Sequence, residues 1–215
     1  MTDFAAARRN MVDGTIRTAD VTDLRLLWAF QEVPRERFVP EKSAGLAYVD
    51  FDLPVAPGRC LFKTRVLAKL LQAAGVAATD RVLVVGCATG YGAAILARVA
   101  AQVVALEENA DLARAARASL AGSPTVEVVS GPLKSGWAAA APYDLIVVEG
   151  ATEVVPEALL GQLSDGGRLV CVLGGDPAAK AMLYLRTGGE VGGRAVFDAA
   201  APVLPGFAKA AAFAF

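Results

Sequence analysis

Val82-Leu-Val-Val-Gly86-Cys-Ala88-Thr-Gly90-Tyr-Gly92 is an aliphatic run that stops abruptly in a small-residue loop, with Ala93-Ala-Ile-Leu-Ala97 behind it. A parallel strand buried on both faces reads as a continuous apolar run, and glycines just after it let the backbone turn tightly into a helix. Such a turn sets backbone N–H groups and a positive helix end beside whatever occupies the strand's carboxyl edge. Val103-Val-Ala-Leu-Glu107 supplies a second strand ending in a carboxylate. It lies roughly 20 residues past the first glycine, the spacing of an acid that grips ribose hydroxyls. Together they predict a site for a nucleoside-containing ligand.

Working outward, short aliphatic runs alternate with helical patterns from Thr79 to Leu173. Strands are expected over Arg81–Val85, Val103–Leu106, Val126–Val129, Tyr143–Val148 and Arg168–Leu173. Helices are expected over Tyr91–Ala100, Ala110–Leu120 and Pro156–Leu163. That rhythm implies an α/β fold, a mostly parallel Rossmann-like sheet in three layers with helices on both faces. Gly166-Gly167 marks the turn into the last of these strands. After Gly174-Gly175-Asp176-Pro177, Ala181–Arg186, Ala195–Phe197 and Ala210–Phe215 read as strands without intervening helices, which suggests an antiparallel C-terminal edge. The N-terminal part is mostly helical: Phe4–Ile16, Asp23–Gln31 with Thr22 as its N-cap, and Lys63–Ala74. No linker divides the chain, so residues 1–215 are expected to form one domain: a helical region 1–75, a core 76–175 and C-terminal strands 176–215.

Composition excludes more than it selects. Hydrophobic residues make up 55 %, but no uninterrupted apolar run approaches membrane-spanning length, and the N-terminus lacks the pattern of a signal peptide. A cytoplasmic protein without a membrane partner is expected. A net charge of −1 gives no electrostatic reason to expect nucleic acid. The absence of histidine rules out Ser-His-Asp and Cys-His catalysis. Cys60, Cys87 and Cys171 stand far apart, forming neither a disulfide framework nor a metal ligand set. Cys171 reads as a small core residue, while Cys87 lies in the glycine loop.

Three cofactor classes combine a glycine loop after the first strand with an acid after the second. The spacing Gly86-x-Ala-x-Gly90-x-Gly92 does not fit the G-x-G-x-x-G of dinucleotide sites, and no Gly-Lys-Ser/Thr follows to make a P-loop. The loop of S-adenosylmethionine (AdoMet) sites remains, beside the plainer possibility of a tight turn that binds nothing.

Further segments carry a resemblance. Arg9–Arg17, Val21–Arg25, Val33-Pro-Arg-Glu-Arg-Phe-Val-Pro40, Ala47-Tyr-Val-Asp50, Leu53-Pro54, Val82–Gly90, Tyr143–Val148 and Pro156–Val170 follow one another in order. In that order they resemble the protein-L-isoaspartate (D-aspartate) O-methyltransferases over essentially the whole chain. The resemblance implies a class I methyltransferase sheet, AdoMet as cofactor, and methyl transfer to the free α-carboxylate of isoaspartyl residues in damaged proteins. It places the cofactor against Gly86, Cys87, Ala88, Thr89, Gly90, Glu107, Glu108, Gly131, Pro132, Leu133 and Glu149, and the acceptor near Arg59, Gly150 and Ala151. The family's Ile-Ser-Gln-Pro-type segment falls on Leu61, Phe62, Lys63 and Thr64. The absent histidine agrees with such chemistry, because a carboxylate with a reference pKa of about 3.9 is already ionised at neutral pH.

Three positions depart from the family. Phe62 stands where the serine that contacts the reacting centre should be, so a hydroxyl on Thr64 or a charge on Lys63 or Arg59 would have to substitute. Pro132 replaces the aspartate that meets the adenine, and proline offers neither a side-chain acceptor nor an N–H. Glu149 replaces a neutral threonine and would oppose an anionic acceptor if ionised. Two alternatives stay open beside the repair enzyme: a methyltransferase of the same fold with another acceptor, and a non-catalytic AdoMet- or partner-binding protein.

Overall fold

In a computed structural model, which describes residues 3–175 and 178–210, the Val82–Val85 run is buried throughout. Its side chains alternate: Val82 and Val84 enter one hydrophobic layer, Leu83 and Val85 the other. Both faces of this strand are therefore covered, the reason its sequence shows no polar alternation.

The chain opens with α1 (Phe4–Met11), which runs on through a π-helical turn at Val12–Ile16, and α2 (Leu24–Glu32). A small antiparallel hairpin follows, β1 (Leu53–Ala56) with β2 (Arg59–Leu61), and then α3 (Thr64–Ala74). The core continues as β3 (Arg81–Val85), α4 (Tyr91–Leu96), β4 (Gln102–Glu107), α5 (Ala110–Leu120) and β5 (Val126–Ser130). It ends with β6 (Tyr143–Thr152), α6 (Glu157–Leu160), β7 (Leu163–Leu173), β8 (Lys180–Thr187) and β9 (Glu190–Asp198).

Among the described residues the main sheet has seven strands in the order β5-β4-β3-β6-β7-β8-β9. Pairings from β5 to β7 are parallel, and β8 and β9 add the expected antiparallel edge. The order reverses between β3 and β6. Ligands of open α/β sheets bind at such a switch point, beyond the strands' carboxyl ends.

Several boundaries differ from the sequence reading. The N-cap of α2 is Asp23, whose carboxylate accepts from the N–H of Arg25, rather than Thr22. The N–H groups of Thr22 and Asp23 instead donate to the side-chain oxygen of Gln72 on α3, at 2.6 and 3.1 Å. The helix expected over Pro156–Leu163 shrinks to α6, because β7 begins at Leu163 and pairs there with Tyr143. Helices do lie on both faces, but unequally. Helices α1 to α5 pack on the Val82–Val84 side, whereas the other side is covered by α6, short turns around Leu133 and residues 204–207. Cys171 is buried in that second layer, as its surroundings in the sequence suggest. Of the expected terminal strand Ala210–Phe215, all but Ala210 lies outside the described residues.

Candidate functional site

The glycine loop takes its shape from three left-handed residues: Gly86 (φ 78°), Ala88 (φ 51°) and Gly90 (φ 97°). Ala88 is the strained member, since a residue with a Cβ seldom adopts positive φ. Its N–H donates to Oε2 of Glu107 at 2.8 Å, a charge-assisted bond that holds it there. At Gly90 a Cβ would stand 2.6 Å from Cδ1 of Leu120, so close packing on α5 also demands glycine. The N–H groups of Gly86 and Cys87 both donate to the carbonyl of Leu106, and that of Gly90 to Cys87. The first two of these bonds pin the loop to β4, and the third closes the loop on itself.

Glu107, at the end of β4, is fully buried and fully bonded. Oε1 accepts from Nη1 of Arg59 at 2.5 Å and from the N–H of Asn109 at 3.0 Å. Oε2 accepts from Nη2 of Arg59 and from Ala88, each at 2.8 Å. A carboxylate offers about four lone-pair directions, and all are filled. Arg59 also donates to the carbonyl of Gly86 at 3.1 Å, and its side chain is only 4 % exposed. The guanidinium carried by β2 thus lies between the glycine loop and the acid that would hold a ribose.

Glu149 sits on the other side of the loop, near the end of β6. Its Oε1 is buried without a hydrogen-bond partner among the described residues, and a Cβ on Gly92 would stand 1.6 Å from it. Burial pushes its pKa up to about 8, against the pull of Arg35 and Arg59. Glu149 is therefore mostly neutral at pH 7, so the repulsion of an anionic acceptor anticipated from the sequence is largely absent. Burial, with Glu107 and Glu149 nearby, likewise pushes the Cys87 thiol well above its ordinary value and keeps it unreactive.

The serine-segment positions divide. Phe62 is buried in the core, and its carbonyl accepts from Nη2 of Arg35 at 2.9 Å. Lys63 turns to Asp52, at 3.4 Å, and so supplies no free charge to the site. Thr64 begins α3 with its hydroxyl buried and unpartnered. On the adenine side, Pro132 is exposed beyond β5, Gly131 donates to the carbonyl of Glu107 at 3.3 Å, and Leu133 donates to Glu108 at 3.3 Å. The hydroxyl of Thr89 donates to the carbonyl of Phe38 at 2.5 Å, joining the loop to the N-terminal region.

Two contributors escaped sequence reading. The segment after β9 returns across the strand ends: Ala151 exchanges backbone hydrogen bonds with Pro202 and Leu204, and Leu204 packs against Gly86 and Gly150. At Gly150 a Cβ would stand 2.5 Å from Cγ of Leu204, so glycine admits this roof. Buried Arg35 is the other; only its local context, between prolines, was visible in the sequence. An open groove of about 410 Å³ lies beside the loop, lined in part by Phe38, Val55, Thr89, Asp111 and Leu112.

A Rossmann-like sheet with this strand order, a glycine loop after β3 and an acid ending β4 defines a class I methyltransferase fold. The model of the protein-L-isoaspartate (D-aspartate) O-methyltransferase family matches residues 6–198, and the chain belongs to that family. The protein-L-isoaspartate O-methyltransferase of Methylorubrum extorquens is 42 % identical over 87 % of this chain and 82 % of its own length. That of Koribacter versatilis is 39 % identical over 86 % and 84 %. A solved protein-L-isoaspartate O-methyltransferase superposes with a TM-score of 0.80 at 25 % identity, covering 93 % of this chain and 66 % of the other. A Plasmodium falciparum protein crystallised with S-adenosyl-L-homocysteine also gives a TM-score of 0.80, at 16 % identity, and shows the shared fold. The family's cofactor is AdoMet. In kind, the loop and Glu107 suit its amino-acid and ribose ends, but in this conformation Arg59 takes every free position on Glu107.

Proposed function

We propose that this chain is an AdoMet-dependent protein carboxyl O-methyltransferase of the isoaspartyl-repair type, acting in the cytoplasm on damaged proteins or peptides as one domain. The observation that carries this reading is the Gly86–Gly90 loop bonded through Ala88 to Glu107 at the sheet's switch point, within a chain of that family. AdoMet supplies an electrophilic methyl group. The protein's part is to bind, align and exclude water. Glu107 is the acceptor for ribose hydroxyls once its partner withdraws. Glu149, protonated at neutral pH, lines the acceptor side without repelling a carboxylate. An ionised acceptor carboxylate is its own nucleophile and needs no general base, which agrees with a chain that holds no histidine. The roof around Leu204 covers Gly86 and Gly150 and keeps water from that face.

Radiolabelled methyl transfer to an isoaspartyl peptide and to its aspartyl twin tests this. Label on the isoaspartyl peptide alone is expected; label on neither, with AdoMet bound, removes the repair activity. The burial of Phe62 at the serine position favours one second reading, a neutral acceptor on the same scaffold.

A further inference from the structure

The geometry points to Arg59 as an internal competitor for the cofactor: its guanidinium and the ribose hydroxyls are rival donors for the same two oxygens of Glu107. This rests on the AdoMet reading above. The ion pair is bidentate, at 2.5 and 2.8 Å, and the side chains are 4 % and 0 % exposed. With Ala88 and Asn109 holding the remaining lone pairs, Glu107 has no direction left for a ribose. A third bond, from Nη2 to the carbonyl of Gly86, lays the guanidinium along the loop itself.

The competitor rides on an element suited to withdrawal. Strands β1 and β2 form a two-stranded sheet of their own, separate from the main sheet, with an irregular register between Pro54 and Ala56. Among the described residues no strand ladder joins this hairpin to the main sheet; Leu53 and Leu61 anchor it to the core by side-chain packing, so it can shift without breaking a ladder bond of the main sheet. The apparent cofactor affinity is then the intrinsic affinity scaled by the fraction of molecules in which Arg59 has left. Charge makes the device selective. The guanidinium neutralises Glu107 while the site is closed, and the neutral ribose must replace an ion pair.

Calorimetric titration with S-adenosylhomocysteine tests this on the wild type, Arg59→Gln and Arg59→Lys. Gln removes the charge, whereas Lys keeps a cation for Glu107 but lacks the planar fork. We expect Arg59→Gln to bind at least tenfold more tightly than the wild type, with Arg59→Lys between them. Should Arg59→Gln fail to fold, Arg59→Lys decides alone. Equal or weaker binding by the folded variants overturns the competition and leaves the methyltransferase reading intact. Tighter binding without methyl transfer to isoaspartyl peptide upholds the competition and removes the acceptor. No heat from any of the three proteins at millimolar ligand overturns both.

Discussion

The guanidinium of Arg35 lies 4.6 Å from the centroid of the Tyr91 ring, and both side chains are fully buried. Arg35 also donates to the carbonyls of Ala47 and Phe62, at 2.8 and 2.9 Å. One side chain thus ties the irregular segment after α2 and the residue after β2 to the first residue of the helix behind the glycine loop. Arg35→Ala should lose two charged hydrogen bonds and a cation–π contact, costing about 3 kcal/mol or more. Arg35→Lys should recover little, because an ammonium cannot reproduce the fork. Urea unfolding midpoints check both.

Glu149 predicts a pH dependence. Its carboxyl titrates near pH 8 in the folded protein and near 4.5 as an ordinary carboxyl, so between these values the folded state holds more protons. Stability must therefore fall as pH rises through that window and level off above it, with a ceiling of roughly 5 kcal/mol. Glu149→Gln should remove this component of the slope and be more stable than the wild type at pH 8. Chemical denaturation at pH 5, 6.5 and 8 is the measurement.

Gly92 and Glu149 should be strongly coupled. A Cβ at position 92 would overlap Oε1 of Glu149 at 1.6 Å, and this side chain is buried, so its carboxyl must move for the methyl group to enter. Gly92→Ala alone should cost about 1–3 kcal/mol through overpacking. Combined with Glu149→Ala it should cost much less than the two single changes added together. Additive losses in a double-mutant cycle would show that the two positions do not interact.

At the opposite end of the central strands, Arg168 forms an ion pair with Asp80 at 2.6 Å and donates to the carbonyls of Ala74, Gly75 and Asp144. This cluster joins the end of α3 to the starts of β3 and β6 and to the middle of β7. Asp80→Ala leaves a largely buried guanidinium without its counter-charge and should cost about 3 kcal/mol. Cofactor affinity should not change, because the cluster lies at the strand ends away from the glycine loop. Thermal melting with and without S-adenosylhomocysteine separates the two effects.

What could be read from the sequence follows the range of the forces involved. Strands β3, β4 and β6 were legible because burial on both faces writes itself as unbroken aliphatic runs, and Gly86 and Gly90 because local backbone geometry demands them. The first half of β7 was not, since Gly166-Gly167 has the composition of a turn while Leu163 pairs with Tyr143. The Asp23 cap was hidden for a similar reason: the competing Thr22 N–H is claimed by Gln72, fifty positions away. At the site, Lys63 found a nearby acid in Asp52, as a sequence allows one to guess. Arg59 found Glu107, 48 positions away, and only the folded chain brings them together. Leu204 belongs to the same class, a short apolar residue whose importance comes from the glycines opposite it.

The roof over the strand ends carries a consequence for the order of events during synthesis. Residues 202–207 follow every described strand of the main sheet in the chain, yet they bond to Ala151 and Glu153 and pack on Gly86. The covering segment is made after every described strand it covers, so Gly86 and Gly150 receive their cover from a part of the chain synthesised later than the sheet beneath it.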